Sequence, residues 1–160
     1  MTKHISIHMK AQGPCTPTDI GAALEKAESV ALAKGQKLTR IRRKVLTLLL
    51  QSTEPAKAYD LLQDLDGEGA AKPPTIYRAL DFLQENGLAH KIESLNAYVA
   101  CGHTGHAHSA FFLICDNCGS AEELHAVSSF EAIQNDAADA QFTLRHATLE
   151  AYGTCRACQV

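Results

Sequence analysis

Two Cys-x-x-Cys pairs, Cys115 with Cys118 and Cys155 with Cys158, constrain the fold of this chain more than any other feature. Each pair places two thiolates on one tight turn, and two such turns brought together supply the four sulfurs of a tetrahedral zinc site. A lone pair would be ambiguous with a redox motif, but two pairs in one small domain favour closed four-cysteine coordination. Because all four positions are then filled, this zinc is expected to stabilise the fold and not to catalyse a reaction.

The length of the chain, 160 residues of which 46% are hydrophobic, is enough for one good core or two small ones. No uninterrupted apolar run approaches the 18 residues or so of a membrane span, and the N-terminus lacks the pattern of a signal peptide. We therefore expect a cytoplasmic globular protein with no membrane partner. In that compartment six cysteines are better interpreted as metal ligands or reactive thiols than as disulfides.

Charge is distributed unevenly along the chain. Residues 1–93 carry 13 Lys/Arg against 11 Asp/Glu, a net of +2, whereas residues 94–160 carry 2 against 7, a net of −5. The first half contains a run of cations with no acid among them, which could neutralise DNA phosphates: Lys34, Lys37, Arg40, Arg42, Arg43 and Lys44. A solvated helix face remains the alternative interpretation of this run.

Hydrophobic periodicity predicts four helices in the first half: 18–34, a second that Thr39 caps and that ends near Pro55, 58–65, and a fourth after Pro73. The second should bury Ile41, Val45, Leu48 and Leu49. The fourth gives the clearest signal, because Ile76, Leu80 and Leu83 recur at helical spacing and Gly87 follows as a stop.

Two short strands are predicted directly after the fourth helix, an alternating segment around His90 and a return strand at 97–101. Helices followed by a two-stranded hairpin describe a winged helix, in which the last helix enters the major groove of DNA. The exposed positions Thr75, Tyr77, Arg78 and Asp81 could then face the DNA. Further candidate contacts are Arg40, Arg43 and Lys44. The alternative is a purely structural helical bundle with a hairpin.

The second half is predicted to be small and strand-rich, with strands at 109–114, 121–126 and 141–152 and a helix at 128–138. The whole chain is therefore expected to be α+β. We assign residues 1–93 to a winged-helix domain, 94–108 to a hinge and metal-binding loop, and 109–160 to a C-terminal α/β domain with the four-cysteine site.

A second set of metal donors lies around the hinge. It draws on both halves of the chain and consists of His90, Cys101, His103, His106, His108, and Glu122 or Glu123. A metal ion held by such a set would clamp the DNA-binding half against the other half. A donor set of one thiolate with imidazoles suits zinc, or cobalt as its surrogate, better than magnesium or calcium. The same donors argue less strongly against ferrous iron.

Three segments together resemble the ferric-uptake-regulator family, and most closely its zinc uptake regulator branch. They are AKPPTIYRALDFLQENGLAHKIESLNAYVAC, HSAFFLICDNCG and RHATLEAYGTCRAC. The match runs from about Gly35 to Cys158, and the ordered combination of motifs is highly specific.

The resemblance implies a homodimer with N-terminal winged-helix domains and C-terminal α/β dimerisation domains, which binds a palindromic operator when loaded with metal. It implies two zinc ions per chain. The structural site falls on Cys115, Cys118, Cys155 and Cys158, and the regulatory site on His90, Cys101, His108 and Glu123. The DNA contacts of the family map onto Tyr59 and Arg78.

The expected function is therefore zinc-dependent repression of zinc-uptake genes, without enzymatic activity or a small-molecule substrate. A regulator of the same family that responds to iron, manganese or peroxide remains an alternative. A zinc hydrolase or deaminase would need an open coordination position and a nearby glutamate base. Neither a His-x-Glu nor a His-Glu-x-x-His string occurs in the chain.

Overall fold

The computed structural model describes residues 17–65, 72–102, 110–124, 127–144 and 147–159. Within these ranges helices come first and a mixture of strands and helix follows, which confirms the α+β prediction. The elements are α1 (Pro17–Ala33), α2 (Arg40–Gln51), α3 (Ala58–Leu65), α4 (Pro73–Glu85), β1 (Ala89–Ile92), β2 (Ala97–Ala100), β3 (Ala110–Cys115), β4 (Ala121–Leu124), α5 (Val127–Asp139), β5 (Thr148–Gly153) and a short 3₁₀ turn (Arg156–Cys158).

Helix α4 has the predicted amphipathic pattern. Ile76, Leu80 and Leu83 are buried in the N-terminal core, and the helix ends at Glu85, two residues before Gly87, whose φ of 63° suits glycine. Pro73 and Pro74 occupy its first turn, where a missing backbone N–H costs nothing. The outward face of α4 is therefore free of core packing and available for recognition.

The predicted burial of α2 was partly wrong. Val45 and Leu49 are buried as expected, but Ile41 is 38% exposed, and Leu46 and Leu50 are buried instead. Toward the start of the helix the buried stripe continues through Arg42, whose guanidinium lies 3.6 Å from the centroid of the Phe82 ring. Thr39 occupies the N-cap position of α2, but its side chain makes no capping hydrogen bond.

Strands β1 and β2 form the predicted antiparallel hairpin, here called the wing, with His90 opposite Val99. The turn between them includes Asn96 at a φ of 45°. Backbone bonds between Ala56 and Tyr98, at 2.9 and 2.8 Å, attach the α2–α3 connection to β2. The wing is thereby fixed to the helices, as a winged-helix architecture requires.

The C-terminal strands form a sheet in the order β4-β3-β5, with β3 antiparallel to β4 and parallel to β5. Strand β5 begins at Thr148, so the prediction of a strand from Gln141 was wrong at its start. Gln141 adopts a φ of 57°, and the N–H of Phe142 donates to the carbonyl of Ala137 at 2.7 Å. These residues terminate α5 with a left-handed turn. The alternation of apolar and polar residues in the sequence does not reveal this turn.

The wing also packs on one face of the C-terminal sheet. Buried Ile92 contacts a cluster that contains Phe112, which is 1% exposed, and Leu95 and Val99 of the wing pack against the same cluster. Strand β2 of the wing lies inside the range 94–108 that the sequence assigned to the hinge. The boundary at residue 93 stays a prediction. No helix within the described ranges combines the length and apolar character needed to cross a bilayer.

Candidate metal centres and nucleic-acid interface

The four cysteines of the two pairs meet at one end of the C-terminal sheet. Strand β3 ends at Cys115, and its parallel pairing with β5 places Cys115 opposite Gly153, two residues before Cys155. The N–H of Asp116 donates to the carbonyl of Gly153 at 2.8 Å and holds the two chain segments together. A tight turn follows each first cysteine, and the four sulfurs all lie within 4.8 Å of one another.

The spacing of these sulfurs fits a zinc ion. The Sγ atoms of Cys118 and Cys155 are 3.8 Å apart. Four sulfurs at about 2.3 Å from one tetrahedral ion would be about 3.8 Å from each other. The donor set, with four thiols and no competing carboxylate, is the one that structural zinc prefers.

Hydrogen bonds in the cluster favour thiolates at the first pair. The backbone N–H of Cys155 donates to the sulfur of Cys115 at 3.3 Å, and with a second backbone bond from Cys118 it lowers the pKa of Cys115 to about 6. The Ser120 hydroxyl, 3.1 Å from the sulfur of Cys118, lowers the pKa of that thiol as well. In contrast, interaction with the Cys155 and Cys118 sulfurs raises the pKa of Cys158 to about 12. Such sulfurs cannot all be anionic without a cation among them.

A second cluster of donors joins the wing to the C-terminal sheet. His90 on β1, Cys101 just after β2 and Glu123 on β4 place one ligand atom each within 4.8 Å of the others. His90 Nε2 lies 3.3 Å from Glu123 Oε1, close to the separation of about 3.4 Å expected for ligands at about 2.1 Å around one tetrahedral ion. Nitrogen, sulfur and oxygen donors in this combination fit zinc.

Surrounding groups orient two of these donors. The backbone N–H of Gly102 donates to Glu123 Oε2 at 3.1 Å, which leaves Oε1 directed toward His90. The imidazole of His90 packs edge-on against Phe112, with ring centroids 5.9 Å apart. Cys101 is 3% exposed, and the side chains of His90 and Glu123 are each 12% exposed. Contacts of this kind, which hold ligands in position, strengthen metal affinity.

His108, the fourth predicted ligand of this cluster, lies outside the described residues, as do His103 and His106. Of the two glutamates that the donor pattern left open, the register favours Glu123, which the family resemblance also indicated. Glu123 is opposite Phe112 and shares its face of the sheet, whereas Glu122 is opposite Leu113 on the other face.

The candidate DNA contacts lie on exposed parts of the helices. Tyr77 on α4 is 51% exposed, and Arg78 beside it is exposed, while Thr75 is half-buried. Tyr59 in the first turn of α3 is 66% exposed. Large aromatic and guanidinium groups directed away from the core suit contacts to phosphates and bases.

Several cations of the basic run also hold the fold together. Arg43 forms an ion pair with Glu28 of α1. Arg42 stacks on Phe82 and donates to the carbonyl of Lys37 at 2.7 Å. Lys34 donates to the carbonyl of Glu85 at 3.1 Å, at the C-terminus of α4, where a cation is favourable. Arg40 is exposed and Lys44 half-buried.

Sequence reasoning missed Glu150, which joins strand β5 to the wing. Its carboxylate accepts a hydrogen bond from the backbone N–H of Glu93 in the wing, 57 residues earlier in the chain. The only local signal is an acidic residue in an otherwise apolar strand, TLEAYG. Glu150 is half-buried, and a carboxylate that is partly removed from water needs polar partners.

Comparison with known proteins identifies the family. The model of the Ferric uptake regulator family matches residues 33–152. The chain is 42% identical over 137 residues to the zinc uptake regulation protein of Escherichia coli (strain K12), which covers 84% of this chain and 80% of that protein. The crystal structure of holo XcZur superposes with a TM-score of 0.80 at 42% identity, covering 86% of this chain and 96% of that one. A zinc uptake regulator complexed with zinc and DNA gives a TM-score of 0.82 at 40% identity, covering 90% and 96%. The chain therefore belongs to the ferric uptake regulator family.

Proposed function

We propose that this chain is a zinc-responsive transcriptional repressor, which binds a palindromic operator as a zinc-loaded homodimer and represses zinc-uptake genes. One observation carries the proposal: donors from the wing and from the C-terminal sheet, His90, Cys101 and Glu123, converge on one point. A metal ion that binds at this point stabilises the arrangement in which the wing meets the C-terminal sheet. The stabilisation equals the free energy of metal binding to that arrangement.

The four-cysteine cluster is proposed as a separate, structural zinc site. Cys115, Cys118, Cys155 and Cys158 fill all four positions of a tetrahedron, so that no exchangeable ligand remains. The site joins the end of β3 to the segment after β5 and would be occupied whenever the protein is folded. Sensing therefore falls to the wing cluster, with His108 proposed as its fourth ligand, and each chain would hold two zinc ions.

DNA binding is proposed for the exposed face of α4 and its surroundings. Arg78, Tyr77 and Thr75 on α4 and Tyr59 on α3 would contact the operator, with Arg40, Arg43 and Lys44 adding electrostatic attraction to phosphates. The solved zinc uptake regulator in complex with zinc and DNA, at 40% identity, supports this role. Two such helices in a symmetric dimer would match the two half-sites of a palindrome.

The donor set favours zinc over the metals sensed in the alternative function. A regulator that responds to iron, manganese or peroxide would be expected to use harder donors, whereas Cys101 supplies a buried thiolate. The relatives named above as zinc uptake regulators support the same choice. Membership of a family of transcription regulators also argues against the hydrolase or deaminase alternative.

The test is a DNA-binding titration at buffered free metal. A duplex carrying the preferred palindrome is first selected from a random library with zinc-loaded protein, and its affinity is then measured by fluorescence anisotropy against free zinc, ferrous iron and manganese. We expect zinc to increase the affinity for the operator at a lower free concentration than ferrous iron or manganese. A response to iron or manganese with none to zinc, or no metal response at all, would contradict the proposal.

A further inference from the structure

Glu150 lies on the face of the C-terminal sheet that carries the wing. The register places it opposite Phe112 on one side, just as Glu123 is opposite Phe112 on the other side. The two carboxylates therefore stand in one row across the sheet, separated by Phe112 and about 10 Å apart at the usual strand spacing. Glu123 belongs to the proposed regulatory metal site, and Glu150 does not.

The carboxylate of Glu150 binds the turn of the wing. Its Oε1 accepts the backbone N–H of Glu93 at 2.8 Å, and the hydroxyl and backbone N–H of Ser94 also donate to the carboxylate. The Tyr152 hydroxyl donates to Oε2 at 2.9 Å. Desolvation by itself would raise the pKa of Glu150, but the bonds from Ser94, Tyr152 and Glu93 hold it below its ordinary value. The group is therefore anionic at neutral pH, and these are charge-assisted hydrogen bonds.

Besides the packing of Ile92 on Phe112, two polar contacts thus attach the wing to the sheet. His90 meets Glu123 on the β4 side, and three residues further along the chain Glu93 meets Glu150 on the β5 side. Three residues of extended chain span about 10 Å, which matches the separation of the two carboxylates. With the apolar packing and one polar contact the wing could still pivot on the sheet, whereas polar contacts on both sides of Phe112 restrict its orientation and that of α4, which precedes it.

We propose that Glu150 is a positioning residue for zinc-dependent DNA binding, which anchors the wing turn so that metal bound at His90, Cys101 and Glu123 sets the orientation of α4. Glu150 acts through Glu93 and Ser94 and contacts neither the metal nor the DNA. The inference rests on the proposed function for its regulatory part. The contact itself can be tested independently of that function.

The experiment compares Glu150→Ala and Glu150→Gln with Glu122→Ala in the full chain. Glu122 is the matched control, because it is an exposed carboxylate of the same sheet on the opposite face. NMR measures amide hydrogen exchange at Glu93 and Ser94, and metal analysis gives the zinc content of each variant. The operator affinity is measured at saturating zinc and in the presence of a chelator, and the ratio of the two affinities is the zinc response. The glutamine variant keeps an acceptor for the Glu93 N–H without the charge.

Glu150→Ala is expected to bind two zinc ions per chain, to lose at least about tenfold of the exchange protection at Glu93 and Ser94, and to lose several-fold of the zinc response. Glu150→Gln should be intermediate, and Glu122→Ala should behave as the wild-type chain. If Glu150→Ala fails to fold, Glu150→Gln decides the question by the same measurements.

Unchanged protection at Glu93 and Ser94 in the variants would overturn the inference. So would a lower melting temperature of both the metal-free and the zinc-loaded protein with an unchanged zinc response, because a merely structural role predicts that result. If the wild-type chain shows no zinc response, the proposed function fails and the regulatory part of the inference with it. In that case the exchange data alone still show whether Glu150 anchors the turn.

Discussion

Nε2 of His90, on the wing, lies 3.3 Å from Oε1 of Glu123, on strand β4. The two residues are brought together by the packing of Ile92 on Phe112, which presses the wing against the sheet. Cys101 completes a donor set that spans both halves of the chain. A metal ion bound there would stabilise this one arrangement of the wing over others, and the consequences can be measured.

Removal of a wing ligand should abolish the zinc response without unfolding the protein. We expect His90→Ala and Cys101→Ser to fall from two zinc ions per chain to one, because the four-cysteine cluster is untouched. The ratio of operator affinities with and without added zinc should fall to about one. The zinc that remains, in the four-cysteine cluster, does not favour one arrangement of the wing over another, and such a ligand shifts no equilibrium between them. Metal analysis and the anisotropy titration check this, and full zinc-dependent binding by both variants would contradict it.

Removal of a ligand from the four-cysteine cluster should instead destabilise the C-terminal sheet. Structural zinc sites contribute about 10–16 kcal/mol of apparent binding free energy in zinc fingers, which is folding free energy. Cys118→Ser should lose this zinc and unfold at a markedly lower temperature, as measured by calorimetry with metal analysis. Cys15→Ser is the control, because Cys15 belongs neither to a Cys-x-x-Cys pair nor to the donor set around the hinge. A Cys118→Ser protein with wild-type stability would rule out a structural site.

Arg78→Ala should weaken operator binding at every zinc concentration. Loss of a phosphate contact should lower the slope of log affinity against log salt by about one, whereas loss of a base contact should cost about 1–3 kcal/mol and relax specificity at one position. Zinc content should stay unchanged, because Arg78 is not a donor in either cluster and lies exposed on α4. Wild-type affinity and salt dependence would exclude Arg78 from the interface.

Arg42 and Arg40 should differ although they lie two residues apart. Arg42→Ala removes the stacking on Phe82 and the bond to Lys37, and should lower the free energy of unfolding by about 0.5–2 kcal/mol with little change in the salt slope. Arg40→Ala should lower the slope of log affinity against log salt, because Arg40 is exposed at the start of α2. Chemical denaturation and salt titrations of operator binding check both variants, and equal salt slopes would contradict the distinction.

Local patterns in the sequence predicted most of the elements. The bounds of α3 and the buried residues of α4 follow from helical periodicity, and the wing follows from alternation around His90. The two wrong predictions have different causes, a contact distant in sequence for α2 and a local turn for β5. Ile41 is exposed because Arg42 and Phe82 set the packed face of α2, and β5 starts late because the end of α5 turns through Gln141.

The chemistry of the two Cys-x-x-Cys pairs could be predicted from the sequence alone, because two thiolates on one tight turn are a local property. The sequence also placed His90 and Cys101 among the candidate donors of a second site. The donor pattern left Glu122 and Glu123 open and the family resemblance indicated Glu123, but only the tertiary structure placed Glu123 on the face that meets the wing and revealed the contact of Glu150 with the wing. The reason is physical: neighbouring residues of a strand point to opposite faces, and which face meets the wing depends on pairing between segments far apart in the chain.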